Sequence, residues 1–513
     1  MVPGLKGQVE VLRDTYGVPH IYADNPEDLF EAQGYVHAQD RFFEMDFRRH
    51  LAAGQLSELF GPSQVETDIY VRTLGWRRVA EQELALLAPS TRRYLDAYAA
   101  GVNAYLADWT AADLSLEYSL LRLQGLRYTP ARWTAVDSLA WLKVMAWDLG
   151  SNFTHEGERA IISGRLGAGR AASLYPRYPL EDDLTPIVRR GDVVGKAFDP
   201  TASRSSARPL PSELSDDQLR QARNALEAAA KINRAIPRLL GSLESESGSN
   251  SWAVAGSRPE SGRAILSNDP HLATSIPSPL AQVGLHCRTL SDACPFDVSG
   301  FSMASMPGVV IGKNTKIAWG LTTSYLDVQD LYLEDVRGDT VREGDTYQPL
   351  HVITEEIHVR GEDHPRVIRI RYSRHGPLLS DVDQRLQQVS ASRPNPSTAQ
   401  YGVALNWTAL QPGRSMDALL AIDQAQNFAE FRAAAALLSA PSQNLIYADT
   451  DGNIGYQLTG TVPLRRKGTG MKPSPGWDRN YDWNGTIPFA KLPYVYNPPS
   501  GFLVAANQQV IGS

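Results

Sequence analysis

The segment 246–256, near the middle of the chain, joins a flexible polar run to a predicted strand and has the sequence Glu-Ser-Gly-Ser-Asn-Ser-Trp-Ala-Val-Ala-Gly. If the Gly248–Ser249 bond is cut, Ser249 becomes an N-terminal residue whose α-amine has an ordinary pKa of about 8. That amine can accept the proton of the serine hydroxyl without a separate histidine, because it lies within hydrogen-bond reach. These residue types therefore indicate nucleophilic catalysis in which one residue is both nucleophile and base.

The bond before Ser249 is also suited to self-cleavage. The serine hydroxyl can attack the Gly248 carbonyl carbon, and a residue without Cβ permits the strained backbone that an N-to-O acyl shift needs. Gly-Ser-Asn is nevertheless a common loop tripeptide, so this prediction depends on the rest of the chain.

The composition is that of a globular protein and excludes several classes of function. The chain has 513 residues, a net charge of -7 and 42% hydrophobic residues. It contains no basic block for nucleic acid and no run of about 18 apolar residues that would predict a membrane span. No secretory signal is visible in this numbering, because no charged segment followed by an apolar one opens the chain.

The N-terminal part is predicted to be mainly helical after a short hairpin. Apolar and β-branched residues at 9–23 flank a Tyr-Gly-Val-Pro turn signal. Helical spacing follows from Pro26 to about Leu59 and again from about 80 to 148. Residues 198–213 are rich in Ser, Pro and Arg, which predicts an exposed linker.

The predicted secondary structure changes after this linker. A capping box formed by Ser215 and Gln218 predicts an amphipathic helix that ends before Pro237. From Trp252 onward, short runs of Val, Ile, Leu, Tyr and Thr between Gly, Pro and Asn predict a large system of strands. One helical stretch, 418–438, interrupts the strands.

The two cysteines, Cys287 and Cys294, flank a short segment that can turn between two strands. Two interpretations stay open. An oxidising compartment would favour a disulfide, and a reducing cytosol would favour a pair of ordinary half-buried thiols.

Several motifs follow one another in a characteristic order. They lie at 16–21, 34–41, 248–252, 267–272, 306–308, 319–323, 327–332, 375–377 and 447–455. In this order they resemble the penicillin acylase group of N-terminal nucleophile hydrolases, which includes aculeacin, cephalosporin and acyl-homoserine-lactone acylases. The resemblance runs essentially from end to end, so it is far more specific than one tripeptide and implies that Ser249 is the nucleophile.

The resemblance implies roles for three further residues. The backbone N–H of Thr323 and the side-chain amide of Asn507 are expected to form the oxyanion hole, a usual pairing of donors for developing negative charge. His271 is expected to contact the nucleophile. Three roles stay open for it: moving protons, holding the α-amine, or fixing the loop.

The resemblance also implies one structural Ca²⁺ per heterodimer, held by Glu156, Asp327 and Asp330, and no organic cofactor. Carboxylate oxygens suit this ion, which would tie two chains together rather than activate water. Asp327 and Asp330 would lie on opposite faces of a regular strand, so a shared ligand role requires a local bend or loop.

The acyl pocket is the least specified part of the site. Leu272, Phe153, Met303 and Tyr325 are candidate contacts for the acyl group of the substrate. Aromatic and Met residues at such places commonly belong to the core.

The family resemblance implies an α+β fold, a four-layer αββα sandwich with two stacked antiparallel sheets. It divides the chain into a mainly helical small chain at 1–195, a spacer at 196–248 that is removed on maturation, and a β-rich large chain at 249–513. Relatives continue past the oxyanion asparagine. We therefore expect the natural chain to extend beyond Ser513 and this portion to be inactive alone.

The predicted function is hydrolysis of a linear amide between an acyl group and an amine, through an acyl-enzyme on Ser249. The resemblance suggests a penicillin-type or N-acyl-homoserine-lactone-type substrate, a heterodimer made from one precursor, and a periplasmic or secreted location. No nucleic-acid partner is expected. The alternatives are a non-catalytic or unprocessed secreted binding protein of the same fold, and an amide-forming acyltransferase.

Overall fold

The computed structural model describes residues 4–126, 128–150, 152–175, 186–188, 192–194, 197–202, 214–232, 248–272, 275–382 and 400–511. Within these ranges, no helix has the length and apolar character needed to cross a membrane.

Helices dominate the first part of the chain, and two more interrupt the strands. They are α1 (Pro26–Ala53), α2 (Leu56–Phe60), α3 (Val65–Leu74), α4 (Trp76–Leu86), α5 (Pro89–Ala107), α6 (Ala111–Leu114), α7 (Leu116–Leu123), α8 (Ala135–Asp148), α9 (Asn152–Leu166), α10 (Ala168–Ala172), α11 (Asp216–Gln221), α12 (Arg223–Ile232), α13 (Ser415–Gln424) and α14 (Phe428–Ala435).

Most strands follow Gly248. The strands are β1 (Glu10–Arg13), β2 (Pro19–Ala23), β3 (Asp192–Val194), β4 (Ala197–Asp199), β5 (Ser249–Val254), β6 (Ile265–Pro270), β7 (Leu280–Cys287), β8 (Asp297–Met303), β9 (Ile311–Lys313), β10 (Ile317–Thr323), β11 (Gln329–Arg337), β12 (Thr340–Glu343), β13 (Thr346–Pro349), β14 (His351–Ile357), β15 (Arg366–Ser373), β16 (Gly376–Pro377), β17 (Gln400–Trp407), β18 (Gln443–Asp449), β19 (Ile454–Leu458), β20 (Pro463–Arg465), β21 (Ser474–Pro475), β22 (Trp483–Thr486), β23 (Tyr494–Tyr496) and β24 (Phe502–Ala505).

Helix α1 is the long helix of the N-terminal part. Asn25 caps it by accepting a hydrogen bond from the Asp28 N–H at 2.9 Å, and Pro26 occupies the first helical position. It packs closely on α5, because a Cβ on Gly34 would stand 2.1 Å from the carbonyl oxygen of Tyr98. The helical spacing predicted from Pro26 to about Leu59 is confirmed, and the region forms two helices, α1 and α2.

The largest sheet has nine strands in the order β1-β2-β7-β8-β9-β10-β18-β19-β23. Every neighbouring pair is antiparallel except β2 and β7, which run parallel. The expectation of wholly antiparallel sheets is therefore wrong for this pair. The two strands come from distant parts of the chain, so no tight turn forces them to run in opposite directions.

A second sheet, in the order β24-β5-β6, is stacked on the first one. Asn268 on β6 joins the two sheets directly. Its Nδ2 donates to the Leu321 carbonyl at 3.0 Å, and its Oδ1 accepts from the Leu321 N–H at 2.9 Å. This contact places β5 and its first residue against β10.

Strand β18 separates the layers. Ile446 shares a hydrophobic cluster with Ala253 and Leu503 of the second sheet, whereas the ring of Tyr447 packs on Phe428 of α14. Successive side chains of a strand point to opposite faces, so helices cover one face of the large sheet and the second sheet covers the other. The predicted α+β class with two stacked sheets is confirmed, and the described residues trace helix, sheet and sheet in that order.

The helical stretch expected at 418–438 consists of two helices, α13 and α14. Ala425 ends the first one with an extended ψ of 138°. Asn427 then caps the second by accepting from the Glu430 N–H at 3.0 Å. The prediction of a single helix is wrong here, because the side chain of Asn427 caps a new helix in the middle of the stretch.

The capping box at Ser215 is confirmed. Ser215 Oγ accepts from the Gln218 N–H at 3.2 Å, and Gln218 Oε1 accepts from the Ser215 N–H at 2.9 Å. The helix expected there is broken after Gln221 into α11 and α12. Its predicted end near Pro237, and most of the linker predicted at 198–213, lie outside the described residues.

Cys287 and Cys294 form a disulfide that joins the end of β7 to the turn before β8. The structure thus decides between the two interpretations that the sequence left open.

Candidate active site and metal centre

Ser249 is the first residue of β5, the central strand of the three-stranded sheet, and only 6% of it is exposed. Strand β6 pairs with β5 from Ser249 onward, whereas β24 pairs with it from Ser251 onward, so the start of the strand is held by the β6 ladder and by the residues that follow β24. A nucleophile at this place has a well-determined position, because it lies on a rigid element rather than in a loop.

The bond before Ser249 lies beside the backbone of His271. The His271 N–H donates to the carbonyl oxygen of Gly248 at 2.9 Å. Attack on that carbonyl would develop negative charge on the oxygen that this amide already contacts. The His271 imidazole is exposed, and its Nε2 lies 3.1 Å from Asp269 Oδ2. His271 therefore reaches the candidate bond through its main chain.

Asn507 follows β24 and contacts Ser249 directly. Its Oδ1 accepts from the Ser249 N–H at 2.5 Å, and its Nδ2 donates to the Thr323 carbonyl at 2.7 Å. Its backbone φ of 61° is left-handed, a region that asparagine tolerates better than most residues. A Cβ on Gly248 would stand 3.2 Å from Asn507 Oδ1, so glycine leaves this oxygen room to approach.

Thr323 ends β10 and meets Asn507 through its carbonyl group. The sequence analysis expects the Thr323 N–H and the Asn507 amide to act together, and the structure brings the two residues into one site. A carboxamide nitrogen has two N–H donors. One of them is used on the Thr323 carbonyl, which leaves the second for another acceptor.

The four candidate acyl contacts are in different surroundings. Leu272 directly follows His271, and Tyr325 lies two residues after Thr323 with an exposed side chain and a φ of 49°. Phe153 and Met303 are both buried members of the main core. The Phe153 ring packs on Trp147, with 5.0 Å between ring centroids.

Glu156, Asp327 and Asp330 meet between α9 and β11, where one carboxylate oxygen of each lies within 4.8 Å of the others. Asp327 lies in the loop 324–328, before the strand begins, whereas Asp330 is the second residue of β11. The loop supplies the bend that the spacing of the two aspartates requires. Glu156 Oε2 also accepts from the Leu331 N–H at 3.0 Å.

Burial makes ionised carboxylates unfavourable in this cluster. Desolvation, together with the nearby Asp330 and Asp327, raises the pKa of Glu156 far above its usual range. Desolvation also raises the pKa of Asp327 to about 8, despite the ion pair with Arg465. Glu156 and Asp327 would each hold a proton at neutral pH unless a cation balanced the charge.

Arg465 supplies one positive charge to the cluster. Its Nε and Nη2 donate to the two oxygens of Asp330 at 2.7 and 3.0 Å, and Nη2 lies 2.9 Å from Asp327 Oδ1. Arg159 also lowers the pKa of Asp327, yet the three ionised carboxylates would still outnumber these two guanidinium groups. These hard oxygen donors fit a divalent cation such as Ca²⁺.

Sequence reasoning misses three residues that contact this cluster, which are Asn152, Arg465 and Trp483; the indole N–H of Trp483 donates to Asp330 Oδ2. Asn152 Nδ2 donates to Asp327 Oδ1 at 2.7 Å. It precedes Glu156 by four residues, a helical spacing that places both on one face of α9 and that the sequence does contain. Arg465 lies 135 residues after Asp330 on another strand, and no local pattern links them.

Ser249 lies buried at the start of the central strand of one of two stacked sheets. Glycine precedes it, and amide groups surround it. This arrangement is typical of the N-terminal-nucleophile class of fold. The chain belongs to the penicillin amidase family, whose sequence model matches residues 8–513.

Named relatives agree with this membership. The chain is 31% identical over 521 residues to the acyl-homoserine lactone acylase QuiP of Pseudomonas aeruginosa, covering 99% of this chain and 56% of the relative. It is 32% identical over 519 residues to the penicillin acylase 2 proenzyme of Pseudomonas sp. strain SE83, covering 99% and 60%. The chain thus spans little more than half the length of these relatives.

More distant matches include penicillin G acylases. The Escherichia coli enzyme is 27% identical over 524 residues, covering 98% of this chain and 59% of the relative. The solved thermostable penicillin G acylase of Alcaligenes faecalis, in its orthorhombic form, is 28% identical with a TM-score of 0.43. That match covers 51% of this chain and 44% of the solved chain.

Proposed function

We propose that this protein is the precursor of an amide-hydrolysing acylase that cuts its own Gly248–Ser249 bond and then uses Ser249 as nucleophile. One observation carries the proposal. The carbonyl of Gly248 accepts from the His271 N–H while Asn507 holds the Ser249 N–H, at the start of a rigid strand. Both sides of the peptide bond are therefore held by hydrogen bonds.

Self-cleavage proceeds in two steps in this proposal. Ser249 Oγ attacks the Gly248 carbonyl carbon, and the His271 N–H stabilises the oxyanion. The C–N bond breaks, the nitrogen of Ser249 takes up the hydroxyl proton, and an ester joins Gly248 to Ser249. Water then hydrolyses the ester, which leaves a Gly248 carboxylate and a free amine and hydroxyl on Ser249.

The mature site then acts on an external amide. The α-amine of Ser249 accepts the hydroxyl proton, while Asn507 Oδ1 keeps the amine in place as it holds the N–H of the uncut chain. The Thr323 N–H and the second N–H of Asn507 Nδ2 serve as donors to the substrate oxyanion. The amine product leaves with the proton, and water releases the acid from the acyl-enzyme.

The substrate class is a linear amide with an apolar acyl group. The relatives act, by their names, on acyl-homoserine lactones and penicillins, which share an acyl group on an amide nitrogen and differ in the amine. In this proposal Leu272 and Tyr325 contact the acyl group, because they flank His271 and Thr323 in sequence.

A structural Ca²⁺ at Glu156, Asp327 and Asp330 is part of the proposal. The donor types and the excess negative charge support it. When bound, the ion would neutralise charge and link α9 of the small chain to β11 of the large chain. Neither water activation nor any step at the serine is assigned to it.

We also propose that the small chain keeps α11 and α12, although both lie in the spacer expected at 196–248. Leu219 and Leu226 are each 1% exposed and belong to the main core cluster. Removing these helices would return that surface to water, at roughly 1.5–3 kcal/mol for each leucine. The excised segment would then begin after Ile232, and the two chains would remain associated as a heterodimer.

The location follows from the same proposal. A disulfide between Cys287 and Cys294 suits an oxidising compartment. We therefore propose a periplasmic or secreted enzyme.

The test uses the full-length natural protein, its Ser249→Ala variant, and Ser257→Ala as a control at an exposed position in the turn after β5. Intact mass and N-terminal sequencing should show a large chain that begins at Ser249 in the wild type and the control only. The small-chain mass should include residues up to at least Ile232. An uncut wild type would contradict the proposal and favour an unprocessed binding protein.

The second part of the test measures amine release from an N-acyl-homoserine lactone and from a penicillin. Hydrolysis by the wild type, absent in Ser249→Ala, is expected. Transfer of the acyl group to an added amine in preference to water would instead identify an acyltransferase.

A further inference from the structure

We propose that Asn444 and Tyr456 are positioning residues for the oxyanion end of the site, acting through Thr323. This inference rests on the proposed function and extends it to residues behind the nucleophile. Neither residue is part of the serine site itself, and both lie on strands of the large sheet.

Asn444 lies on β18, directly opposite Thr322 of β10 in the register of the sheet, and is fully buried. Its Nδ2 donates to Thr322 Oγ1 at 3.1 Å and to the carbonyl of Thr323 at 3.3 Å. Both N–H groups of the carboxamide are thereby used on two successive residues. The side chain fixes the end of β10, where the expected main-chain oxyanion donor lies.

Tyr456, on the neighbouring strand β19, determines which way the carboxamide faces. Its hydroxyl donates to Asn444 Oδ1 at 2.7 Å. Burial raises the pKa of Tyr456 well above its usual value, so the phenol stays protonated and has a hydrogen to donate to Asn444 Oδ1. A flipped carboxamide would place its oxygen against the Thr323 carbonyl oxygen and would leave the phenol hydrogen without its acceptor, so the phenol favours the orientation with Nδ2 toward Thr323.

The hydrogen bonds of Asn444 and Tyr456 continue through Thr323 and Asn507 to Ser249. The Thr323 carbonyl accepts from both Asn444 and Asn507, and Asn507 Oδ1 accepts from the Ser249 N–H. The chain of hydrogen bonds runs from β19 through β18 and β10 to Asn507 and β5. Displacing Thr323 would therefore move the expected N–H donor and Asn507 together.

Packing of the core alone would not require a polar pair such as Asn444 and Tyr456. Asn444 lies beside Leu445 and Ile446, which are fully buried and apolar. A buried carboxamide and phenol cost free energy unless they are hydrogen-bonded, and an apolar pair of similar volume would fill the same space. The bonds of Asn444 are instead directed at Thr322 and Thr323.

The experiment compares Tyr456→Phe with Tyr447→Phe in the full-length protein. Tyr447 is an equally buried tyrosine on β18, but its hydroxyl donates to Asp449 and its ring packs against the helices. Tyr456→Phe should lower kcat for amide hydrolysis about tenfold with KM changed by less than about twofold. Tyr447→Phe should leave both constants near the wild-type values.

A second variant, Asn444→Asp, keeps the shape of the side chain but removes both N–H donors. It should lower kcat more than Tyr456→Phe, by about a hundredfold, again with little change in KM. Thermal unfolding of every variant separates a loss of position from a loss of fold, and Tyr456→Phe decides the question if the aspartate variant does not fold.

The outcomes separate this inference from the proposed function. A wild type that cuts itself and hydrolyses amides, with Tyr456→Phe equal to Tyr447→Phe in kcat, would overturn the inference alone. A Tyr456→Phe effect confined to KM would also overturn it. An inactive wild type would overturn both.

Discussion

The side-chain oxygen of Asn507 lies 2.5 Å from the backbone nitrogen of Ser249, although 258 residues separate them in the chain. Before cleavage this nitrogen is a peptide N–H, and after cleavage it would be the α-amine that acts as base. One side chain can therefore hold the same atom in both states, so the proposed cleavage would require little rearrangement of this contact.

Asn507→Gly should lower kcat for amide hydrolysis by about 10²–10³-fold, because it removes a donor to the oxyanion. Glycine is the appropriate replacement, since it adopts the positive φ of this position without strain. Steady-state kinetics on the matured protein would check this, with Asn497→Gly as a control at another asparagine of positive φ, 48°. A change in kcat of less than about threefold would contradict the role of Asn507.

Calcium should stabilise the protein, and more strongly at pH 8 than at pH 5. In the metal-free chain the folded state holds protons on Glu156 and Asp327, whose pKa values are raised above those of the unfolded chain. The contribution of these two groups to metal-free stability therefore falls as pH rises from about 4 toward 8. Calcium replaces these protons, so chelator should lower Tm most at the upper end of this range.

Glu156→Gln should remove most of the stabilisation by calcium, measured by thermal unfolding with calcium and with chelator. Glu158→Gln, two residues along the same helix, is the matched control and should respond as the wild type does. If calcium raised Tm equally in both variants, the ion would have to bind elsewhere.

His37 should make the protein less stable in acid. It lies buried on α1, with Nδ1 2.8 Å from the Tyr98 hydroxyl and Nε2 3.0 Å from Ser302 Oγ. Burial, reinforced by Arg41, lowers its pKa to about 3. The unfolded chain therefore binds the proton first, and stability is lost as pH falls below about 6.5, by up to about 1.4 kcal/mol per pH unit.

His37→Gln should flatten the dependence of the unfolding free energy on pH between 6 and 4, because glutamine does not titrate. Denaturant unfolding at several pH values would measure it, with the exposed His351→Gln as a control. Identical slopes in wild type and His37→Gln would show that this histidine does not cause the acid sensitivity.

Lys143→Met should destabilise the protein by about 3–5 kcal/mol. Lys143 on α8 forms a buried ion pair with Glu83 on α4, and the side chains of both are 3% exposed. Without the lysine, Glu83 would be left as a buried charge with the Gly413 N–H as its remaining partner among the described contacts.

The double variant Lys143→Met with Glu83→Leu should recover much of that loss, because it removes both charges together. Chemical denaturation of the two variants and the wild type would complete the comparison. A double variant no more stable than Lys143→Met would contradict this account.

Much of the fold can be predicted from local sequence. The capping box at Ser215 and the strand run that begins at Ser249 are encoded within a few residues, because caps and strand alternation depend on near neighbours. The disulfide partners also lie seven residues apart. Breaks inside a helical pattern, such as the one after Ala425, are harder to predict, because a single side-chain cap is enough to cause them.

The sequence by itself determined the chemistry of two adjacent residues: the hydroxyl of Ser249, with the amine that the proposed cleavage would free, and the missing Cβ of Gly248. The family resemblance named Thr323, Asn507 and His271 as neighbours, but only the tertiary structure decided which of their atoms contact Ser249 and Gly248. Thr323, Asn444 and Arg465 meet their partners across more than 100 residues, through the register of strands and the stacking of two sheets. Such contacts leave no periodic signal in the local sequence, because they arise from which strands become neighbours after the chain folds.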